Sequence, residues 1–103
     1  MARWLAKVLS RVHDLAATGR VRLTYKAARE VAALALSPED VLDVLLALTG
    51  DDSVGRTASA ASGEWLYIFK PDISGQTVYV KLILRLDCIV VSFHEDEADA
   101  DED

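Results

Sequence analysis

From residue 2 to residue 18 apolar side chains recur every three or four positions. Leu5, Val8, Leu9, Val12, Leu15 and Ala16 fall on one stripe, and Arg3, Lys7, Arg11 and Asp14 lie opposite. That period predicts an amphipathic helix, and Gly19 supplies its stop. The alternation of RVRLT at 20–24 predicts a short edge strand, after which Thr24 caps a second helix over residues 25–36. Ser37-Pro38-Glu39-Asp40 combines a capping side chain, a first-turn proline and acids at the positive dipole end. The third helix it opens, to residue 48, carries Val41, Leu42, Val44, Leu45, Leu46 and Leu48, which predicts burial around most of its circumference. Residues 49–63 are rich in Gly, Ser, Asp and Ala and predict irregular chain with a single cation, Arg56.

Beyond residue 63 the period changes to two. Residues 64–70 predict a strand with Trp65, Tyr67 and Phe69 on one face; Pro71 ends it and residues 72–76 make a turn. Two further strands, 77–85 and 88–94, join through Leu86-Asp87. A symmetric connection pairs Arg85 with Cys88, Lys81 with Ser92 and Tyr79 with His94 on one face. The other face pairs Leu84 with Ile89, Leu82 with Val91 and Val80 with Phe93. The second face is wholly apolar and is the one to be covered by helices. Helices first and a β-meander after them predict an α+β fold, with the N-terminal helices on one face of a mainly antiparallel C-terminal sheet.

Length sets one domain, expected over residues 1–94, with no repeat and no second unit. The net charge of −6 is unevenly spread. Residues 95–103 hold seven carboxylates and no base, which predicts a disordered acidic tail. Without them the body holds eleven basic and ten acidic side chains, and its first 29 residues carry seven Arg or Lys against Asp14 alone. Cys88 is the only cysteine, so an internal disulfide and a cysteine-based zinc site are excluded. No apolar run approaches the ~20 residues of a membrane span, and the charged N-terminal segment lacks a signal peptide's apolar stretch. The expected setting is cytoplasmic, with no membrane partner, no metal and no cofactor.

The candidate chemistry is the polar row of the hairpin: Tyr79, Lys81 and Arg85 on one strand, Ser92 and His94 on the other. Histidine titrates near neutrality and serves as acid or base, and two cations beside it suit a phosphate. The same row is also what the wet face of any half-covered sheet presents. His13 reads as a surface residue on the flank of the first helix. Arg3, Lys7 and Arg11 read as a solvated helix face able to touch a phosphate backbone, which Arg20 and Arg22 extend. GDDSVG lacks the lysine and spacing of a phosphate-cradling loop, and Ser53, Ser59 and Ser62 have no partner that would make them nucleophiles.

Several blocks taken together carry a resemblance: GRVRLT at 19–24, SPEDV with LLALTGDD, Trp65 followed by Lys70-Pro71, GQTVYVKL, and IVVSFHE. In that order and spacing, over about residues 8–95, the chain resembles the MqsR family of bacterial toxins. The resemblance implies a RelE-like α+β fold and the activity of an mRNA interferase, a metal-free endoribonuclease cutting single-stranded message, usually near GC-containing triplets. It also implies a cognate antitoxin, commonly a helix-turn-helix DNA-binding protein, as neutralising partner and co-repressor.

Carried over by position, the family's strand tyrosine falls on Tyr79, its lysine after V-S-F on His94, and its lysine after the third helix, with a one-residue shift, on Arg56. The family's glutamine falls on Leu66, and its Thr-Pro-His lead-in is absent. The implied catalytic set is therefore Tyr79, His94 and Arg56, with Lys81, Arg85, Lys70 and Arg22 as RNA contacts. The departures keep a second reading open: a weakened or inactive relative that acts by binding a protein partner.

Overall fold

A computed structural model describes residues 1–96 of the chain. The stripe on α1 (Arg3–Ala17) turns Leu5, Val8, Leu9, Val12, Leu15 and Ala16 inward. Gly19, at φ +73°, closes it, with Arg20 N–H donating to the Leu15 carbonyl and Gly19 N–H to Ala16. β1 (Val21–Leu23) follows at once, and Thr24 caps α2 (Tyr25–Ala33) by accepting from Ala27 N–H. α2 stops earlier than the sequence suggests. Ala35 takes a left-handed φ of 59°, and Leu36 N–H returns to the Val31 carbonyl, so the helix ends in the same motif without a glycine to announce it. α3 (Pro38–Ala47) starts with the expected Ser37 cap, and Asp40, by accepting from the Ser37 N–H, completes it as a capping box.

α3 is less buried than its composition implies. Val41, Leu45 and the capping Leu48 are buried, but Leu42 and Val44 are half-covered and Leu46 is 45% exposed. The helix leans mainly on α1, so one side faces a neighbour and the rest is an outer surface.

Five further strands follow: β2 (Ser53–Ala58), β3 (Trp65–Phe69), β4 (Asp72–Ile73), β5 (Gln76–Leu84) and β6 (Cys88–Glu95). The sheet order is β1-β6-β5-β3-β2, with β4 paired to β5. β1 runs parallel to β6 and every other pair is antiparallel. The helices cover one face, where Val12, Leu15, Val31 and Leu45 meet Phe69, Val80, Leu82, Val90 and Phe93. The fold is α+β, with helices N-terminal and the sheet mostly C-terminal.

Two local expectations change. Residues 49–63 are not wholly irregular: β2 pairs with β3 after a bulge at Val54, where Gly55 takes φ +114°. The turn at 72–76 contains β4, joined to β5 through Ser74 and Gly75, both at positive φ, the pattern of a tight hairpin turn.

The β5–β6 register also departs from the symmetric expectation. Tyr79–His94, Val80–Phe93 and Lys81–Ser92 pair as expected, but the loop has three residues and Val91 is an extra, bulged residue. Beyond it Leu82 meets Val90, Ile83 meets Ile89, and Leu84 meets Cys88. The bulge reverses the alternation, so Cys88 and Val90 point into the core and Ile89 joins the open face. The expected pairs Arg85–Cys88, Leu84–Ile89 and Leu82–Val91 are thereby overturned.

The expected tail boundary also moves. Glu95 is the last residue of β6, and Asp96 is nearly buried, its N–H donating to the Thr77 carbonyl. The rest of the expected disordered tail, residues 97–103, lies outside the described residues.

Candidate functional site on the open sheet face

Register fixes which side chains share the uncovered face. Leu82 is buried under the helices, so its neighbours on β5, Lys81 and Ile83, project the other way, as does Tyr79. Their partners Ser92, His94 and Ile89 point with them, although Ser92 is itself buried, as do Ile68 on β3, which pairs with Lys81, and Arg22 on β1, which pairs with Ile89.

Tyr79 and His94 stack with ring centroids 5.1 Å apart and planes 11° from parallel. His94 Nδ1 lies 2.8 Å from the Glu95 carbonyl oxygen. A carbonyl only accepts, so Nδ1 carries the hydrogen, and Nε2 is the atom free to exchange a proton. The Lys81 ammonium stands 5.7 Å from the Tyr79 ring centroid and has no carboxylate partner among the described residues.

A second group reaches the row from α2. Lys26 Nζ donates to Ser92 Oγ at 3.1 Å and to Glu30 at 3.2 Å. The Glu30 carboxylate in turn accepts the Phe93 N–H at 3.0 Å. Because β1 is only three residues long, α2 takes over where it ends and satisfies the edge of β6 with side chains. Burial of Glu30 favours its neutral form. The Phe93 N–H, the Lys26 ammonium and, least, nearby His94 together outweigh that and hold its carboxyl below the ordinary range. Nothing in the sequence ties Lys26 and Glu30 to the row, since only the parallel β1–β6 pairing brings them there.

The other expected residues are dispersed. Arg56 pairs across β2–β3 with Tyr67, which pairs with buried Leu82, so Arg56 is on the helix-covered face. It lies between two indoles, 4.6 Å from the Trp4 ring centroid and 4.0 Å from that of Trp65, while Trp4 also stacks on Tyr67. It does not join Tyr79 and His94. The residue opposite Leu66 is Thr57, so Leu66 occupies the open face without an amide.

Lys70, just past the Phe69–Val80 pair, is bound by Asp96 at 3.3 Å. Arg85 grips Glu64 through two hydrogen bonds, 2.6 and 2.8 Å, which holds the Glu64 carboxyl down to about 2 and raises the Arg85 guanidinium. Arg22 is exposed and has no carboxylate partner among the described residues.

His13 is not a plain surface residue. Its Nε2 donates to the Leu48 carbonyl at 2.9 Å and ties α1 to the end of α3. Burial pushes the Cys88 thiol up to about 12, so it is not a nucleophile in the folded chain. Among the described residues no three His, Cys, Asp or Glu side chains gather into a metal-binding group. No helix among them is long and apolar enough to cross a membrane.

No curated protein matches this chain. Residues 6–95 match the family model described as "Motility quorum-sensing regulator, toxin of MqsA". That match takes in every strand and all but the first turn of α1, and with it the whole Tyr79–His94 face; the chain belongs to the MqsR toxin family.

Proposed function

We propose that this chain is the toxin of a toxin–antitoxin pair and that it cuts single-stranded mRNA, without a metal ion, on the open face around Tyr79 and His94. The observation that carries the reading is the stacked Tyr79–His94 pair, with Nδ1 committed to a backbone carbonyl and Nε2 left for chemistry. In RNA transesterification the 2′-oxygen bonds to phosphorus and the bond to the 5′-oxygen breaks, leaving a 2′,3′-cyclic phosphate and a 5′-hydroxyl. His94 Nε2 takes the 2′-hydroxyl proton and the Tyr79 phenol donates to the departing 5′-oxygen. The imidazolium then returns its proton to the phenolate through water, which restores both rings. Lys81, which has no carboxylate partner among the described residues, offsets the charge that builds on phosphorus, with Lys26 beside it already shared with Glu30. The partner is a cognate antitoxin, helix-turn-helix in type, and the setting is the cytoplasm.

The test is cleavage of single-stranded RNA by the purified chain in the presence of a chelator. His94→Ala lowers the rate by roughly 10²–10⁴-fold, the range of a single acid–base group, and Tyr79→Phe lowers it while keeping the stack. Arg56→Ala, on the other face, leaves the rate unchanged. Cleavage that survives both changes on the row places the chemistry elsewhere. A wild-type chain that binds antitoxin but cuts nothing is the protein-binding relative. Two features favour that second reading: Arg85 and Lys70 are already held by carboxylates, and Leu66 stands where the family has an amide.

A further inference from the structure

Four arginines from separate parts of the chain converge on the loop between β5 and β6. Arg85 opens the loop, and Arg11 of α1 donates to the Arg85 carbonyl at 3.4 Å. Arg20 pairs with Asp87 at 3.0 Å, and Arg22 stands on β1 beside Ile89. Among the described residues the acids paired with these guanidinium groups are Asp87 and Glu64, which leaves the cluster two positive charges in excess of them. Two adjoining hollows, about 230 and 320 Å³, lie beside the loop, both lined by Arg22, Arg85 and Ile89; Asp87, which Arg20 pairs, lines the larger one as well.

This cluster is continuous with the open face. From Tyr79 the row runs through Lys81 and Ile83 and reaches Arg85 one residue past the end of β5, six residue steps on, or roughly 20 Å at the strand rise. Ile83, Ile89 and Ile68 form an apolar floor between its charged ends. A span of that length is too long for one nucleotide and suits several, with phosphates at the cations and base faces on the apolar floor.

We infer that the Arg22–Arg85 hollow is a remote phosphate subsite that holds a single-stranded RNA several nucleotides away from the reacting bond. The inference rests on the ribonuclease reading for its ligand. It adds that recognition is extended along β5 and β6, and that Glu64 competes with the RNA for Arg85. Phosphate must share or displace the Glu64 carboxylate, whereas Arg22, which has no carboxylate partner among the described residues, engages it directly. The observations favour RNA over an acidic protein segment because the hollow opens onto the same strand pair as Tyr79 and His94.

The experiment is binding of the full chain to fluorescent single-stranded RNAs, a trinucleotide and a decanucleotide of unreactive 2′-O-methyl backbone, across a salt series. The wild type binds the longer RNA more tightly. Arg22→Ala shrinks that length advantage and lowers the slope of log affinity against log salt by roughly 0.7, the loss of one single-strand phosphate contact. Glu64→Gln, which releases Arg85 without removing a cation, tightens the decanucleotide by roughly two- to fivefold. An unchanged length advantage and salt slope in Arg22→Ala overturns the inference. So does a chain whose RNA binding ignores Arg22 while its binding of a polyglutamate peptide depends on it. Loss of cleavage in His94→Ala with no effect of Arg22 defeats the subsite and leaves the ribonuclease standing. Arg22-dependent decanucleotide binding by a chain that cleaves nothing does the reverse.

Discussion

Glu30 shows how one side chain serves both structure and site. Its carboxylate accepts the Phe93 N–H at the otherwise open edge of β6 and holds Lys26 beside Ser92. Glu30→Ala strands that part-buried N–H and is expected to cost about 1–3 kcal/mol in urea denaturation, the penalty for an unpaired backbone donor. Glu30→Gln keeps an acceptor and costs less. The pH dependence separates the two contributions. The folded carboxyl sits below its unfolded value of 4.5, so its stabilisation is complete above that pH and is lost as pH falls through the folded value. Glu30→Gln therefore flattens the stability curve on the acid side of 4.5. A curve unchanged there means that the carboxylate's charge contributes nothing.

At the scale of elements the β6 bulge decides which residues are available. It places Cys88 in the core, fully buried, with a thiol pushed up to about 12. A two-residue loop without the bulge would set Cys88 on the open face beside Arg85. Thiol-specific alkylation distinguishes them: the native chain is expected to label only as fast as it opens, and the unfolded chain at once. Rapid native labelling would contradict the bulged register. The three helices, the caps at Thr24 and Ser37, the Gly19 stop and the apolar face near His94 were legible in the sequence because each rests on local periodicity or on capping chemistry within a few residues; the left-handed stop of α2 at Ala35 was not. The Tyr79–His94 pair was legible too, since it lies on the unbulged side of Val91. The bulge was not, because Ile89, Val90 and Val91 are all apolar and either alternation satisfies a core. β2 was hidden by SVGRTA, whose glycine and small residues read as loop, although pairing to β3 makes it a strand. Arg56 shares that fate: unless β2 is a strand, nothing in the sequence fixes the face on which its side chain falls.

On the scale of the molecule, ion pairs among the described residues balance part of the charge, and the rest is separated. Arg22, Lys26 and Lys81 line the open face or its margin. Asp43, Asp52 and Asp72 instead line a cavity of about 510 Å³ between α3 and the β4 hairpin. The C-terminal acids add a third element, and Asp96, the last described residue, already neutralises Lys70 near the Tyr79 end of the row. Residues 97–103 contribute five more carboxylates, nearly a third of the seventeen in the chain, and their removal changes the net charge from −6 to −1. Charge joined to the chain just beyond Asp96 would act on an RNA at the open face as long-range repulsion, over a Debye length of about 10 Å at 0.1 M salt and about 3 Å at 1 M. Truncation after Asp96 is therefore expected to tighten single-stranded RNA binding at low ionic strength, mainly through a faster association rate. The gain should shrink steadily as salt is raised and vanish near 1 M. Because the Lys70–Asp96 pair is retained, the folded stability of the body should stay within about 0.5 kcal/mol. A gain that persists at 1 M salt would mean a direct contact between the removed residues and the RNA site, and no gain at low salt would mean that their charge never reaches the open face.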